Sequence, residues 1–189
     1  RVPYLGKRGI TEEVQRIFGI GYDKENKAVM IPWTDYKGNI VNLKFRSTAT
    51  KMFWYHKEGQ PLRYHLFGLH LICKKKITRV FCTESETDAM YLWSIGVPAI
   101  AFGRAGMSPE QKKLLLRSPI EELVIASDND KAGRAFAERL RQELIGIIVV
   151  ENLSFPIKYK DVNDIPMKEL LSTIEKNVEK KSFYMFLQL

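Results

Sequence analysis

The sequence predicts an α/β protein: a parallel sheet flanked by helices, preceded by a small, basic α+β subdomain. Three observations carry this. Between residues 77 and 150, short apolar runs alternate with helix-length amphipathic stretches, the rhythm of repeated strand–helix–strand units. The charge is unevenly divided: residues 1–76 carry +9 and residues 77–189 carry −1 of the net +8. Three acidic clusters each follow a predicted strand, at the edge where open parallel sheets bind their ligands.

The elements follow in chain order. Thr11 can cap a short helix, Glu12 and Glu13 suit its positive end, and Val14, Ile17 and Phe18 form an apolar stripe that Gly19 ends. Residues 28–32 read as a strand, 35–39 as a turn and 40–45 as the returning strand. Further β-like sequence is expected around 52–55 and 64–67, and the first subdomain closes at Lys74-Lys75-Lys76. Then come a strand at 77–83, a helix at 86–95, a strand at 97–102, and a helix at 108–117 that Ser108 and Pro109 can start. A strand at 122–127, a helix at 131–144 and a strand at 147–150 complete the sheet. Residues 166–180 read as helix, and the hydrophobic end, 183–189, either packs back on the core or belongs to a larger context.

Composition narrows the function classes. At 45% hydrophobic and 28% charged residues, the chain reads as an ordinary globular one. No apolar run approaches the roughly 20 residues that span a bilayer, so no membrane role is expected. No basic-apolar-small leader opens the chain, which starts at Arg1 rather than Met and is expected to be a piece of something longer. Cys73 and Cys82 are too few for a four-cysteine zinc site, and neither lies in a C-x-x-C pair. Both read as buried strand residues and free thiols in a reducing cytoplasm. A basic half suits a polyanion such as nucleic acid.

The chemistry lies in the acidic clusters: Glu84 with Asp88 one helical turn on, Asp128-Asn129-Asp130, and Asp161-Val162-Asn163-Asp164. Alone, each reads as a cap, a turn or a loop. Together at one sheet edge they are carboxylates that repel, a conflict that a divalent cation resolves. Asp128 and Asp130, two apart, point the same way if the segment is extended. Mg²⁺ prefers hard oxygen ligands and keeps positions open for phosphates. Two such ions about 4 Å apart can activate a 3′-hydroxyl and stabilise a leaving pyrophosphate. Phe53, Trp54, Tyr55 and His56 interleave aromatics with Lys51 and Lys57, a mixture that either stacks single-stranded bases or fills a core. Gly103-Arg104-Ala105-Gly106 reads as a tight strand–helix turn more readily than as a phosphate cradle.

Glu84-x-x-x-Asp88 followed by Asp128-x-Asp130 resembles the Toprim signature shared by DnaG-type primases, topoisomerases and OLD-family nucleases. Asp128 to Arg134 is similar to the D-x-D-x-A-G-x run of the primase branch, and Lys160 to Asp164 to its K-D-x-N-D segment. Tyr4 to Ile10 resembles the Y-L-x-x-R-G opening of the primase polymerase core. Ser85 stands where the family usually has Gly. The resemblance implies a Toprim catalytic domain at 77–165, a basic N-terminal subdomain at 1–76 and a C-terminal helical segment at 166–189.

It further implies a DNA primase making short RNA primers on single-stranded DNA from ribonucleoside triphosphates. One to three Mg²⁺ or Mn²⁺ ions would be held by Glu84, Asp128, Asp130 and Asp161, with no zinc in this segment. Glu84 would serve as metal ligand or general base, and Asp88 would orient the site from behind. Arg46 and Lys51 would grip the triphosphate. Arg8, Lys44 and Lys57 would contact nucleic acid. A replicative helicase is the expected partner, through regions outside this chain. A metal-dependent nuclease, or a nucleic-acid-binding module without metal, are the other readings.

Overall fold

The computed structural model describes residues 2–186. It opens with α1 (Pro3–Gly6) and α2 (Glu12–Ile17). Thr11 caps α2, its hydroxyl accepting from the Val14 N–H at 3.3 Å. Val14 and Phe18 are buried, but Ile17 is 42% exposed and Gln15 takes the inward place. The Gln15 amide accepts from the Val2 N–H and donates to the Ile10 carbonyl. Those two backbone groups select a polar partner over another apolar side chain.

Four antiparallel strands follow in simple order: β1 (Gly21–Asp23), β2 (Ala28–Thr34), β3 (Ile40–Ser47) and β4 (Phe53–Tyr55). Asp35 builds the β2–β3 turn by accepting from the N–H groups of Lys37 and Asn39, both at 2.9 Å. The strand expected at 64–67 is not there. Residues Leu62–Tyr64 form a 3₁₀ turn, and Phe67 alone bridges to Ala101. Next comes α3 (Leu69–Lys75), whose Leu69, Leu71 and Ile72 are buried. Cys73 therefore lies on a helix rather than on a strand; Cys82 is buried in a strand, and both are free thiols.

The second sheet is wholly parallel, in the order β6-β5-β7-β8, from β5 (Arg79–Thr83), β6 (Ala99–Ala101), β7 (Glu122–Ile125) and β8 (Val149–Asn152). Its connections are α4 (Glu86–Ser94), α5 (Pro109–Arg117) and α6 (Lys131–Leu144). Ser108 starts α5 with a reciprocal capping box to Gln111. The alternation of strand side chains divides the interior in two. Val80, Cys82, Leu123 and Ile125 pack with Leu69, Leu115 and Phe136 of α3, α5 and α6. Phe81, Ala99, Ala101 and Val124 share a core with α4 and with Leu5, Val29, Ile31 and Trp33 of the N-terminal part.

Trp33 is fully buried at this seam. It presses on Gly103, where a Cβ would come within 2.8 Å of the indole ring and where φ is +73°. Residues 103–106 form a tight turn, the Gly106 N–H donating to the Arg104 carbonyl at 2.9 Å. The last helix, α7, spans Met167–Phe186. The packing expected of the hydrophobic end, 183–189, lies outside the described residues. Among the described residues no helix is long and apolar enough to cross a membrane.

Candidate active site

Each acidic cluster sits at the carboxyl end of a strand of the parallel sheet. Glu84 directly follows β5, and Ser85 caps α4, accepting from the Asp88 N–H and donating to Asp88 Oδ2 at 2.6 Å. Asp88 thus lies in the first turn of α4, buried. Asp128 leaves β7, and the loop after β8 returns to present Asp161. Asp161 starts a 3₁₀ turn by accepting from the Asp164 N–H at 3.1 Å.

The β7–α6 loop is held from two sides. The Asn129 N–H donates to the Lys160 carbonyl at 2.6 Å, and its amide donates to the Tyr159 carbonyl at 3.0 Å. Gly133 in the first turn of α6 permits the approach, since a Cβ there would stand 2.1 Å from the Asp128 carbonyl oxygen.

Asp88, Asp128 and Asp161 offer carboxylate oxygens that all lie within 4.8 Å of one another. Burial raises all three from the usual carboxylate range. The Asp161 charge raises Asp88 and Asp128 further, and Asp164 does the same to Asp161. Asp88 is pushed up to about 8, against the pull of the Ser85 hydroxyl. Glu84 is also raised, by burial and then by Asp128, and its Oε1 is buried without a hydrogen-bond partner. The nearby Lys160 Nζ stands 3.8 Å from Asp128 Oδ2 on a largely exposed side chain. Four crowded carboxyl groups, one with an orphaned buried oxygen, fit a hard divalent cation.

Asp88 was expected to orient the site from behind, and its carboxylate lies within 4.8 Å of those of Asp128 and Asp161. The α4 cap turns it inward, a consequence of helix geometry that spacing alone does not reveal. Asp130 does not join the three. It is exposed and caps α6, its Oδ1 accepting from the Gly133 N–H at 2.8 Å. Its charge still raises Glu84 and Asp128. Asp164 accepts from the Lys160 N–H at 3.2 Å.

The basic residues face these carboxylates unequally. A cleft of about 220 Å³ is lined by Arg8, Lys44 and Arg46 on one side and by Glu84, Asp88, Asp128 and Asp161 on the other. Arg46 donates to the Lys51 carbonyl at 3.1 Å, but of the two only Arg46 lines the cleft. Arg8 leans on the Tyr4 ring at 5.5 Å and pairs with Asn163. Lys44, expected to contact nucleic acid, lines this cleft and is paired inside the protein. Its ammonium reaches both oxygens of Glu86 at 3.0 and 2.8 Å. Lys57 lies elsewhere, on a shallow groove with Trp54, His56 and Phe45, on the sheet face that Lys44 and Arg46 do not share. The rings of Phe45 and Trp54 stack there, 5.5 Å apart.

Sequence reasoning missed Glu86, Asn129, Gly133 and Asn163. The D-N-D-K-A-G run contained the signal for two of them, an Asn and a Gly at a strand–helix junction.

Residues 81–165 match the family described as Toprim-like. All three acidic clusters fall within the matched residues, and Arg8, Lys44 and Arg46 of the cleft wall lie outside them. A DNA primase of Clostridium acetobutylicum is 26% identical over 210 residues, covering 85% of this chain and 33% of its own length. The chain thus spans about a third of that relative. Among solved structures, a DnaG primase catalytic domain bound to single-stranded DNA superposes with a TM-score of 0.77 at 20% identity, over 94% of this chain and 70% of that one. The primase fragment of the bacteriophage T7 primase-helicase gives 0.75 at 24% identity, over 92% and 72%. The matched residues and the basic lobe before them together share the fold of these primase structures.

Proposed function

We propose that this chain is the catalytic core of a DNA primase, joining ribonucleotides into short primers on a single-stranded DNA template. One observation carries the reading: carboxylates from three separate loops converge opposite a wall of arginines, in a chain with the fold of primase cores.

Asp88, Asp128 and Asp161, with Glu84, would hold one or two divalent cations, Mg²⁺ or Mn²⁺. Bound there, such ions supply charge for an attacking 3′-hydroxyl and a leaving pyrophosphate. Glu84 keeps one oxygen unpartnered, which suits it to bind a cation or to accept the proton of that hydroxyl. Asp130 contributes field from its capping position. Arg46, which lines the carboxylate cleft, grips the triphosphate, with Lys51 next to it through its backbone carbonyl. Arg8 holds the template backbone. In domain terms the reading assigns 1–76 to substrate binding, 77–165 to metal chemistry and 166–189 to a helical extension. A replicative helicase, reached through flanking regions, is the inferred partner, as the T7 relative is a primase-helicase. A cytoplasmic setting accords with two free thiols.

The test is a gel assay with single-stranded template, labelled ribonucleotides and Mg²⁺ or Mn²⁺. Labelled oligoribonucleotides support the proposal. Shortened DNA points to a nuclease, and a mobility shift with neither product points to a binding module.

A further inference from the structure

We infer that the buried Glu86–Lys44 pair is a positioning device, setting the distance between the phosphate-gripping sheet and the metal carboxylates. The inference rests on the primase reading above for what is being positioned.

Glu86 is the first residue of α4, between Glu84 and Asp88, and is only 2% exposed. It receives three hydrogen bonds, all from the N-terminal sheet: two from Lys44 Nζ, at 3.0 and 2.8 Å, and one from Trp33 Nε1, at 3.0 Å. Lys44 is itself covered, with a side chain 13% exposed and its ammonium lying 4.9 Å from the centre of the Phe53 ring. Lys44 and Arg46 are two apart on β3 and so share one face. Whatever fixes Lys44 therefore fixes Arg46, which lines the same cleft as Glu84, Asp88 and Asp128.

A stability role explains this arrangement poorly. Replacing a buried ion pair by apolar side chains of similar size is often neutral or stabilising. What a fully hydrogen-bonded pair adds is a single permitted geometry, here between β2 and β3 on one side and the first turn of α4 on the other. Phosphoryl chemistry is sensitive to that geometry, and a displacement of about 1 Å can cost about 100-fold in rate.

The experiment removes the pair without leaving a lone buried charge. The double variant K44M/E86Q, in which the introduced side-chain amide oxygen can still accept from Trp33 Nε1, is compared with wild type for thermal stability, Mn²⁺ affinity, ribonucleoside triphosphate affinity in Mn²⁺, and primer synthesis. Expected are a melting temperature close to wild type and unchanged Mn²⁺ affinity, with triphosphate affinity weakened roughly 10- to 100-fold and KM raised more than kcat is lowered. Wild-type triphosphate affinity in a stable double variant overturns the inference. If the double variant does not fold, K44R keeps the charge while displacing the strand. Unchanged triphosphate affinity in that variant likewise overturns it, and an intermediate loss at wild-type stability supports it. A wild-type chain that binds Mn²⁺ and triphosphate but makes no primer defeats the primase reading alone. A wild-type chain that binds no triphosphate defeats both.

Discussion

Asn163 and Arg8 hold each other twice across 155 positions of sequence. The Asn163 amide donates to the Arg8 carbonyl at 2.7 Å, and the Arg8 guanidinium donates to Asn163 Oδ1 at 3.3 Å. The loop that presents Asp161 is thereby tied to the residue proposed to grip the template. Asn163→Ala removes both bonds at an exposed site, where little stability is at stake. The expected result is single-stranded DNA affinity lowered by roughly 3- to 10-fold with Mn²⁺ affinity intact, read by fluorescence anisotropy and calorimetry.

Asp128→Ala removes one of three converging carboxylates while leaving the arginine wall untouched. Primer synthesis is expected to fall by about 1,000-fold or more, with DNA affinity nearly unchanged because that affinity comes from phosphate contacts. Normal synthesis by this variant would falsify the role given to Asp128.

Gly133→Ala tests the closeness of α6 to the metal loop. Alanine is the better helix former, so an unobstructed site would gain stability. Here the new Cβ would meet the Asp128 carbonyl oxygen at 2.1 Å, and backbone must move. A loss of about 1–3 kcal/mol is expected in chemical denaturation, together with weaker Mn²⁺ binding.

The crowded carboxylates also set a pH dependence. Burial pushes Asp88 up to about 8 in the folded chain, far above the ordinary carboxylate range, so between that range and about 8 the folded state holds a proton that the unfolded state has lost. A proton bound only in the folded state makes stability fall as pH rises through the window. Metal-free protein is therefore expected to melt at a lower temperature at about pH 9 than at about pH 6. A bound divalent cation replaces the proton, so Mg²⁺ should raise the melting temperature more at the higher pH. A Mg²⁺ effect that is equal or larger at low pH would contradict this.

Much of this architecture was legible in the sequence. The range 131–144 for α6 could be read from periodicity alone, and the start of α5 from Ser108 with Pro109. The three acidic loops were placed at one edge because a parallel sheet leaves no other place for them. What could not be read depended on partners distant in sequence. Leu69 to Lys75 is too short for periodicity to separate helix from strand, and its helical state follows from packing against the second sheet. Asp128 and Asp130 look equivalent in a D-x-D pair, but the start of α6 claims one as a cap and leaves the other for the cleft. Lys44 looks like any surface lysine, because its partner Glu86 lies 42 residues away.

The seam around Trp33 has a consequence for mobility. Leu5, Val29, Ile31 and Trp33 share one apolar interior with Phe81, Met90 and Ala101, so no hinge separates the basic lobe from the acidic one. On the primase reading, the template would therefore meet a cleft whose width is set in advance by packing between the two lobes.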